Sequence, residues 1–259
     1  MSRSLSSKLI FSINQSKFDD LLRKLEDLSK IGDCLKIKID KENTLIYAMV
    51  GEKIILAFKS YLLKTDEYFI IKELDINLNI IIPSPKKFTK GLGFIKKESP
   101  IKLDISYREN DEGEGNVRFV QIKNGKLKLS QPCGEESEIK DIDNNSLNQK
   151  LNLKNKKWSF SISGSDFSDI KKLSNINSEG KTLSVEVNKS GVVTISEQSV
   201  WDLEVDNIGD HDKVIIFNKS FLGNINENEN IDFHVFDSFI LNKDVDSNLM
   251  ISFEQTFED

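Results

Sequence analysis

Cysteine is nearly missing from this chain of 259 residues, which holds only Cys34 and Cys133. Two cysteines so far apart exclude a disulfide framework, a redox C-x-x-C pair and thiolate zinc spacing, so both read as small hydrophobes. Histidine is equally scarce. His211 and His234 stand alone, without H-E-x-x-H or any paired ligand spacing, and neither is assigned to a metal or to catalysis. The glycine signatures of phosphate and nucleotide sites, G-x-G-x-x-G and G-x-x-x-x-G-K, are missing, as is the nucleophile elbow G-x-S-x-G. No catalytic residue, metal or cofactor is therefore expected, and the chain reads as something other than an enzyme. No apolar run approaches the roughly 18 residues of a membrane helix, so no membrane partner is expected. The opening stretch, Met1 to Lys8, shows neither an apolar core nor a small-residue cleavage site, so a cytoplasmic chain is expected.

What the chain does contain is the same segment twice. Phe11-Ser12-Ile13-x-x-Ser16-x-Phe18-x-Asp20 returns as Phe160-Ser161-Ile162-x-x-Ser165-x-Phe167-x-Asp169, 149 residues later. Further on, Leu35-Lys-Ile37-Lys-Ile39 reappears as Leu183-Ser-Val185-Glu-Val187, 148 residues later. One local chemistry at one spacing predicts two copies of one domain, at residues 1–130 and 158–259, joined by a polar connector at 131–157. The length allows two cores of ordinary domain size.

Within the first copy, Leu9 to Ile13 predicts a strand, and Ser16 stands where an N-cap would open a helix. Phe18, Leu21, Leu22, Leu25 and Leu28 recur at helical spacing, and Gly32 closes the segment. Alternating runs at Leu35 to Ile39, Thr44 to Met49 and Lys53 to Phe58 predict strands. After the run Leu78 to Ile82, Pro83-Ser84-Pro85 opens a second helix with Phe88, Leu92 and Ile95 inward. Lys86, Lys90 and Lys97 then share its opposite face. Ile101 to Leu129 supplies three further strands. The second copy repeats the scheme, with helices at Ser165 to Leu173 and Asn218 to Ile225, the latter placing Phe221 where Phe88 stands.

This duplicated α+β pattern resembles the DNA sliding clamps, most nearly the phage type within the proliferating-cell-nuclear-antigen class, from about Leu9 to Phe253. The resemblance implies a clamp fold of two similar domains, each with two helices packed on antiparallel sheets. It also implies that three subunits close as a ring, a homotrimer around double-stranded DNA, with the helices lining the channel. The function implied is that of a polymerase processivity factor, with a DNA polymerase and a clamp loader as partners that dock beneath the connector near the C-terminal tail. On that picture the channel cations are Arg23, Lys24, Lys30, Lys86, Lys90, Lys97, Lys172 and Lys219, and the partner-binding residues are Ile139, Ile142, Leu147, Phe253 and Phe257. The alternative reading is a duplicated-domain virion-type structural protein that does not encircle DNA.

Charge can be weighed against this implication. Duplex DNA carries one negative charge per roughly 1.7 Å of axis, so an enclosing channel needs cations, and sliding needs phosphate contacts rather than base contacts. The chain carries a formal net charge of −6. A general DNA-binding surface is not acidic overall, whereas a ring with basic inner helices and an acidic exterior is compatible with that sign.

Overall fold

Residues alternating with period two form strands here, and leucines spaced at three and four form helices, because each pattern buries one face. The structure is a computed structural model that describes residues 7–51, 57–142, 144–176, 182–187, 192–195, 199–202, 205–206, 213–218, 223, 225, 230–244, 246–252 and 254–255. The elements begin with β1 (Ser7–Ile13), α1 (Phe18–Leu28), β2 (Cys34–Ile39), β3 (Asn43–Val50), β4 (Ala57–Lys64), α2 (Thr65–Tyr68) and β5 (Phe69–Ile70). They continue with β6 (Asn77–Pro83), α3 (Pro85–Leu92), β7 (Ile101–Glu109), β8 (Glu114–Asn124), β9 (Leu127–Pro132), α4 (Asn144–Lys150), β10 (Trp158–Ser163) and α5 (Gly164–Ile176). The remaining strands are β11 (Thr182–Val187), β12 (Val192–Ile195), β13 (Ser199–Asp202), β14 (Val205–Asp206), β15 (Lys213–Asn218), β16 (Asn230–Val235), β17 (Phe239–Lys243), β18 (Ser247–Ser252) and β19 (Glu254–Gln255). Two compact units result, Met1–Val50 with Lys59–Asp141, and Gly51–Phe58 with Ile142–Asp259.

In the first unit the strands run in the order β5, β1, β7, β8, β6, β2, β3, β4, with β9 added beside β8. The β1–β7, β7–β8, β8–β9, β2–β6 and β2–β3 pairings are antiparallel. β6 and β8 meet in parallel over Asn77–Asn79, which joins two ladders into one sheet. α1 and α3 lie side by side. Phe18, Leu21, Leu25 and Leu28 of α1, and Phe88 and Leu92 of α3, are buried, as their spacing predicts. From Leu78 to Ile82, β6 is buried at every position, which a strand shows when both of its faces are covered.

The repeat survives as repeated pairing. Phe11 faces Leu103 across β1–β7, and Phe160 faces Phe233 across β10–β16. Leu35 faces Ile82 across β2–β6, and Leu183 faces Phe217 across β11–β15. In the second unit β10 also pairs β14, while β16, β17 and β18 continue that ladder, and β13, β12, β11, β15 and β19 form another. Phe167 of α5 is buried against Phe233, which stacks in turn on Phe160 at 5.0 Å. Phe18 and Phe167, equivalent in the repeat, are both buried.

Three local readings change. Ser16 does not cap α1: it lies in a short 3-10 turn at Gln15–Lys17, which Asn14 caps by accepting from the Ser16 amide, and α1 follows with Lys17 at its N-cap and no side-chain cap bond. Gly32 does not close α1, which ends at Leu28. A Cβ at Gly32 would stand 2.4 Å from the Met49 carbonyl oxygen, so the glycine permits the chain to pass close to β3. The strand expected at Lys53 to Phe58 is described only from Ala57, and it runs on to Lys64.

Phe18→Ala should lower stability by about 3–5 kcal/mol in denaturant titration, the usual cost of emptying a buried aromatic site. Gly32→Ala should cost about 1–3 kcal/mol, because the atom that it meets belongs to backbone and cannot rotate away.

Candidate nucleic-acid interface

The exposed face of α3 is made by its sequence. Phe88 and Leu92 pack inward, which turns Lys86, Lys87 and Lys90 to solvent, and all three are exposed. No carboxylate among the described residues lies within ion-pair distance of them. Gly91, which weakens the helix intrinsically, allows a close approach: a Cβ there would stand 2.9 Å from a methyl carbon of Leu129 on β9. The helix begins after Ser84, whose φ of 61° puts a non-glycine residue in the left-handed region immediately before Pro85.

Lys97, expected on this helix, lies beyond it, because α3 ends at Leu92 with Gly93 as its cap. Its exposed ammonium pairs with Asp19 of α1, and its carbonyl accepts from the Gln15 carboxamide at 2.7 Å. Lys96, also exposed, lies beside it in sequence. The cations that share the α3 face are thus Lys86, Lys87 and Lys90.

On α1, Asp20 and Asp27 turn toward buried cations, while Asp19 and Glu26 stay exposed. Lys24, expected in the channel, is only 2% exposed, and its ammonium stands 3.0 Å from Asp20 and 5.2 Å from the centre of the Tyr61 ring. Lys59 of β4, also buried, reaches Asp27 at 2.5 Å, and Asp27 accepts in addition from the Tyr61 hydroxyl. Burial raises the Asp20 carboxyl, but the Tyr68 hydroxyl, Arg23 and Lys24 outweigh it and bring its pKa down to about 2. Burial lowers the Lys59 ammonium, against the opposing pull of Asp27. Arg23 and Lys30 remain exposed, each paired with the acid three residues earlier. Lys172 on α5 is exposed and paired with Asp169 at 2.9 Å. Lys219 lies outside the described residues.

The connector begins as a strap across the first unit. The Cys133 amide donates to the Arg118 carbonyl at 3.0 Å, and the Gly134 amide to the Ile81 carbonyl at 2.9 Å. Arg118 pairs with Glu135 at 2.8 Å. At the far end Asp141 receives Lys36 at 2.5 Å and Lys38 at 3.1 Å, while the Tyr47 hydroxyl donates to the Lys140 carbonyl. The strap therefore crosses β8, β6, β2 and β3. Burial raises the Asp141 carboxyl, and Lys36 and Lys38 more than reverse that, leaving it lowered.

Of the expected partner-binding residues, Ile139, within the strap, is buried and Ile142 is half-buried. Leu147 packs on the Leu151, Phe236 and Leu241 cluster of the second unit. Ile139 and Leu147 therefore anchor their own segments instead of facing solvent. Phe253 and Phe257 lie outside the described residues. Among the described residues no three His, Cys, Asp or Glu side chains gather as a metal site requires, and no helix is long and apolar enough to cross a membrane.

Known structures share this fold. The chain is similar to the Helicobacter pylori beta clamp solved with a DNA ligase peptide, with a TM-score of 0.63 and 14% identity over 98% of this chain and 68% of that one. It is similar to the DNA polymerase III subunit beta of Pseudomonas aeruginosa, with a TM-score of 0.66 and 14% identity over 95% of this chain and 66% of that one. PCNA of Thermococcus kodakaraensis gives a TM-score of 0.58 and 12% identity over 96% of this chain and 100% of that one. No protein-family model matches the chain, and no curated protein matches its sequence. The chain has the α+β fold of the DNA sliding clamps. It spans about two thirds of the beta clamps and the whole length of that PCNA.

Because Asp20 has a folded pKa below its ordinary value of 3.8, the stabilisation that it contributes is complete above that value and lost as pH falls toward about 2. Acid titration of Asp20→Asn against the parent should show a smaller loss of stability across that interval. Asp141→Ala leaves the buried Lys36 ammonium without its carboxylate and should cost about 1–3 kcal/mol, with faster proteolysis near residue 141 as a second readout.

Proposed function

We propose that this protein is a polymerase processivity factor, a ring of three identical subunits that encircles duplex DNA. One observation carries the reading: on a clamp fold covering nearly the whole chain, α3 presents Lys86, Lys87 and Lys90 without a counter-charge among the described residues. Three like charges within one turn of helix repel one another, and an anionic partner relieves that repulsion. Phosphates satisfy them without reading sequence, which is the chemistry sliding requires. Arg23, Lys30, Lys97 and Lys172 add cations that can exchange a surface carboxylate for a phosphate.

Ring closure requires sheet edges that can pair with a neighbour. Among the described residues β9 pairs only β8, and β13 pairs only β12, so each unit ends in an open strand. Two different edges on one chain suit head-to-tail association, which gives a ring when the rotation closes. A chain with the length of PCNA and two similar units brings six units to a trimer. The net charge of −6 per chain then belongs to the outer surface, and DNA is retained by topology. A polymerase and an ATP-driven loader are the partners this role calls for, with the strap region and the C-terminal tail as their docking area. The chemistry is theirs; the ring supplies tethering.

Light scattering should give a mass three times 29.5 kDa at high protein concentration, and a strictly monomeric protein at every concentration sinks the ring. Replacing Lys86, Lys87 and Lys90 together by Ala should leave that mass unchanged. It should reduce the slope of log affinity for duplex DNA against log salt by about 3, one for each lost phosphate contact, and shorten primer-extension products.

A further inference from the structure

Among the described residues Phe94 is the most exposed large apolar side chain, at 75%. It stands just past α3, four residues beyond Lys90 and two before Lys96. The backbone continues the helical course at Gly93, and the Phe94 amide donates to the Gly91 carbonyl at 3.2 Å, so Phe94 extends the line of Lys86 and Lys90 by one further turn. From Lys86 to Phe94 this line spans roughly 12 Å at the helical rise per residue.

The turn that carries Phe94 is held firmly. Ile95 is buried, and its amide donates to the Leu92 carbonyl. The Asn124 side chain, itself only 5% exposed, accepts from the Lys96 amide at 2.8 Å and donates to the carbonyls of Lys96 and Ser99 at 2.8 and 2.9 Å. Gln15 and Asp19 fix Lys97 on the other side. A buried carboxamide thus braces a turn whose tip is a bare phenyl ring, in line with Lys86 and Lys90, which have no carboxylate partner among the described residues.

We propose that Phe94 is a stacking platform for an unpaired base of single-stranded DNA, with Lys86, Lys87, Lys90 and Lys96 holding the adjoining phosphates. The proposal rests on the DNA-encircling reading and deepens it. A duplex keeps its base faces within the stack, so an aromatic ring on a cationic track has a π-face to offer only where bases are unpaired. The bracing also reduces the ordering cost of presenting the ring. The place for such a contact is the junction where duplex gives way to single-stranded template.

The test is fluorescence anisotropy at low ionic strength with two labelled substrates of the same paired sequence, a blunt duplex and a duplex with a thymidine overhang. Phe94→Ala should weaken binding to the overhang substrate roughly tenfold, within the range of one lost base stack, and change blunt-duplex binding less than about twofold. Phe94→Trp should keep overhang binding, and its added indole emission over the parent should be quenched by oligothymidylate. Equal losses on both substrates, or no loss on either, overturn the stacking role, the second outcome assigning the ring to a protein partner. The Lys86, Lys87 and Lys90 triple Ala variant separates the two readings. If it binds both substrates as the parent does, the DNA reading itself fails, whatever Phe94 does.

Discussion

Two buried ammonium groups at the inner side of α1, on the helix's own Lys24 and on Lys59 of β4, set the terms for the first unit. A buried cation without a partner costs several kcal/mol, so the helix can dock only by bringing carboxylates with it. Asp20 and Asp27 do this, seven residues apart and hence on one side of α1, and the Tyr68 and Tyr61 hydroxyls donate to the same Oδ2 atoms that the two ammonium groups approach. The acids that look misplaced among basic residues in the sequence are therefore internal counter-ions. What α1 leaves at the surface is mixed, Arg23 and Lys30 beside Asp19 and Glu26, whereas what α3 leaves, having no acid, is positive charge with no counter-ion among the described residues.

The same economy of charge governs the strap. Alternation along β2 points Lys36 and Lys38 to the face away from the core, where they would ordinarily be solvated. The connector crosses that face and buries Lys36 to 1% exposure, with Asp141 supplied from the strap itself. β6 is consequently covered on both sides, which accounts for its unbroken run of Ile80, Ile81 and Ile82. The polar composition of the connector thus has a mechanical part: its carboxylates fasten it to a sheet whose outer face carries lysines.

The proposed function depends on how the two helices are presented. α1 and α3 lie side by side on the sheet, so their outward residues form one surface rather than two. Lys97 and Asp19 stitch its edge, and Asn124 braces the turn that ends it. The proposed interface for a moving polyanion calls for cations on a stiff support and no stereospecific reader of base edges, and this face has cations on a helix packed against a sheet.

The sequence by itself determined the duplication, the two-unit division of labour between strands and helices, and the inward stripes of α1 and α3. Each rests on local periodicity or on one motif met twice, and the pairings of Phe11 with Leu103 and Phe160 with Phe233 repeat because those motifs do. Lys86 and Lys90 were legible as an exposed pair for the same reason, being one turn apart opposite Phe88 and Leu92. The tertiary structure alone decided which cations stay free. Lys24 and Lys97 look like Lys90 in the sequence, yet one is sealed over Tyr61 and the other tied to Asp19, because a charge's fate depends on what the chain folds against it from far away. Phe94 gave no sequence signal, since an aromatic residue near a helix end most often joins the core; its exposure follows from Ile95 and Asn124 taking the buried places on either side of the turn.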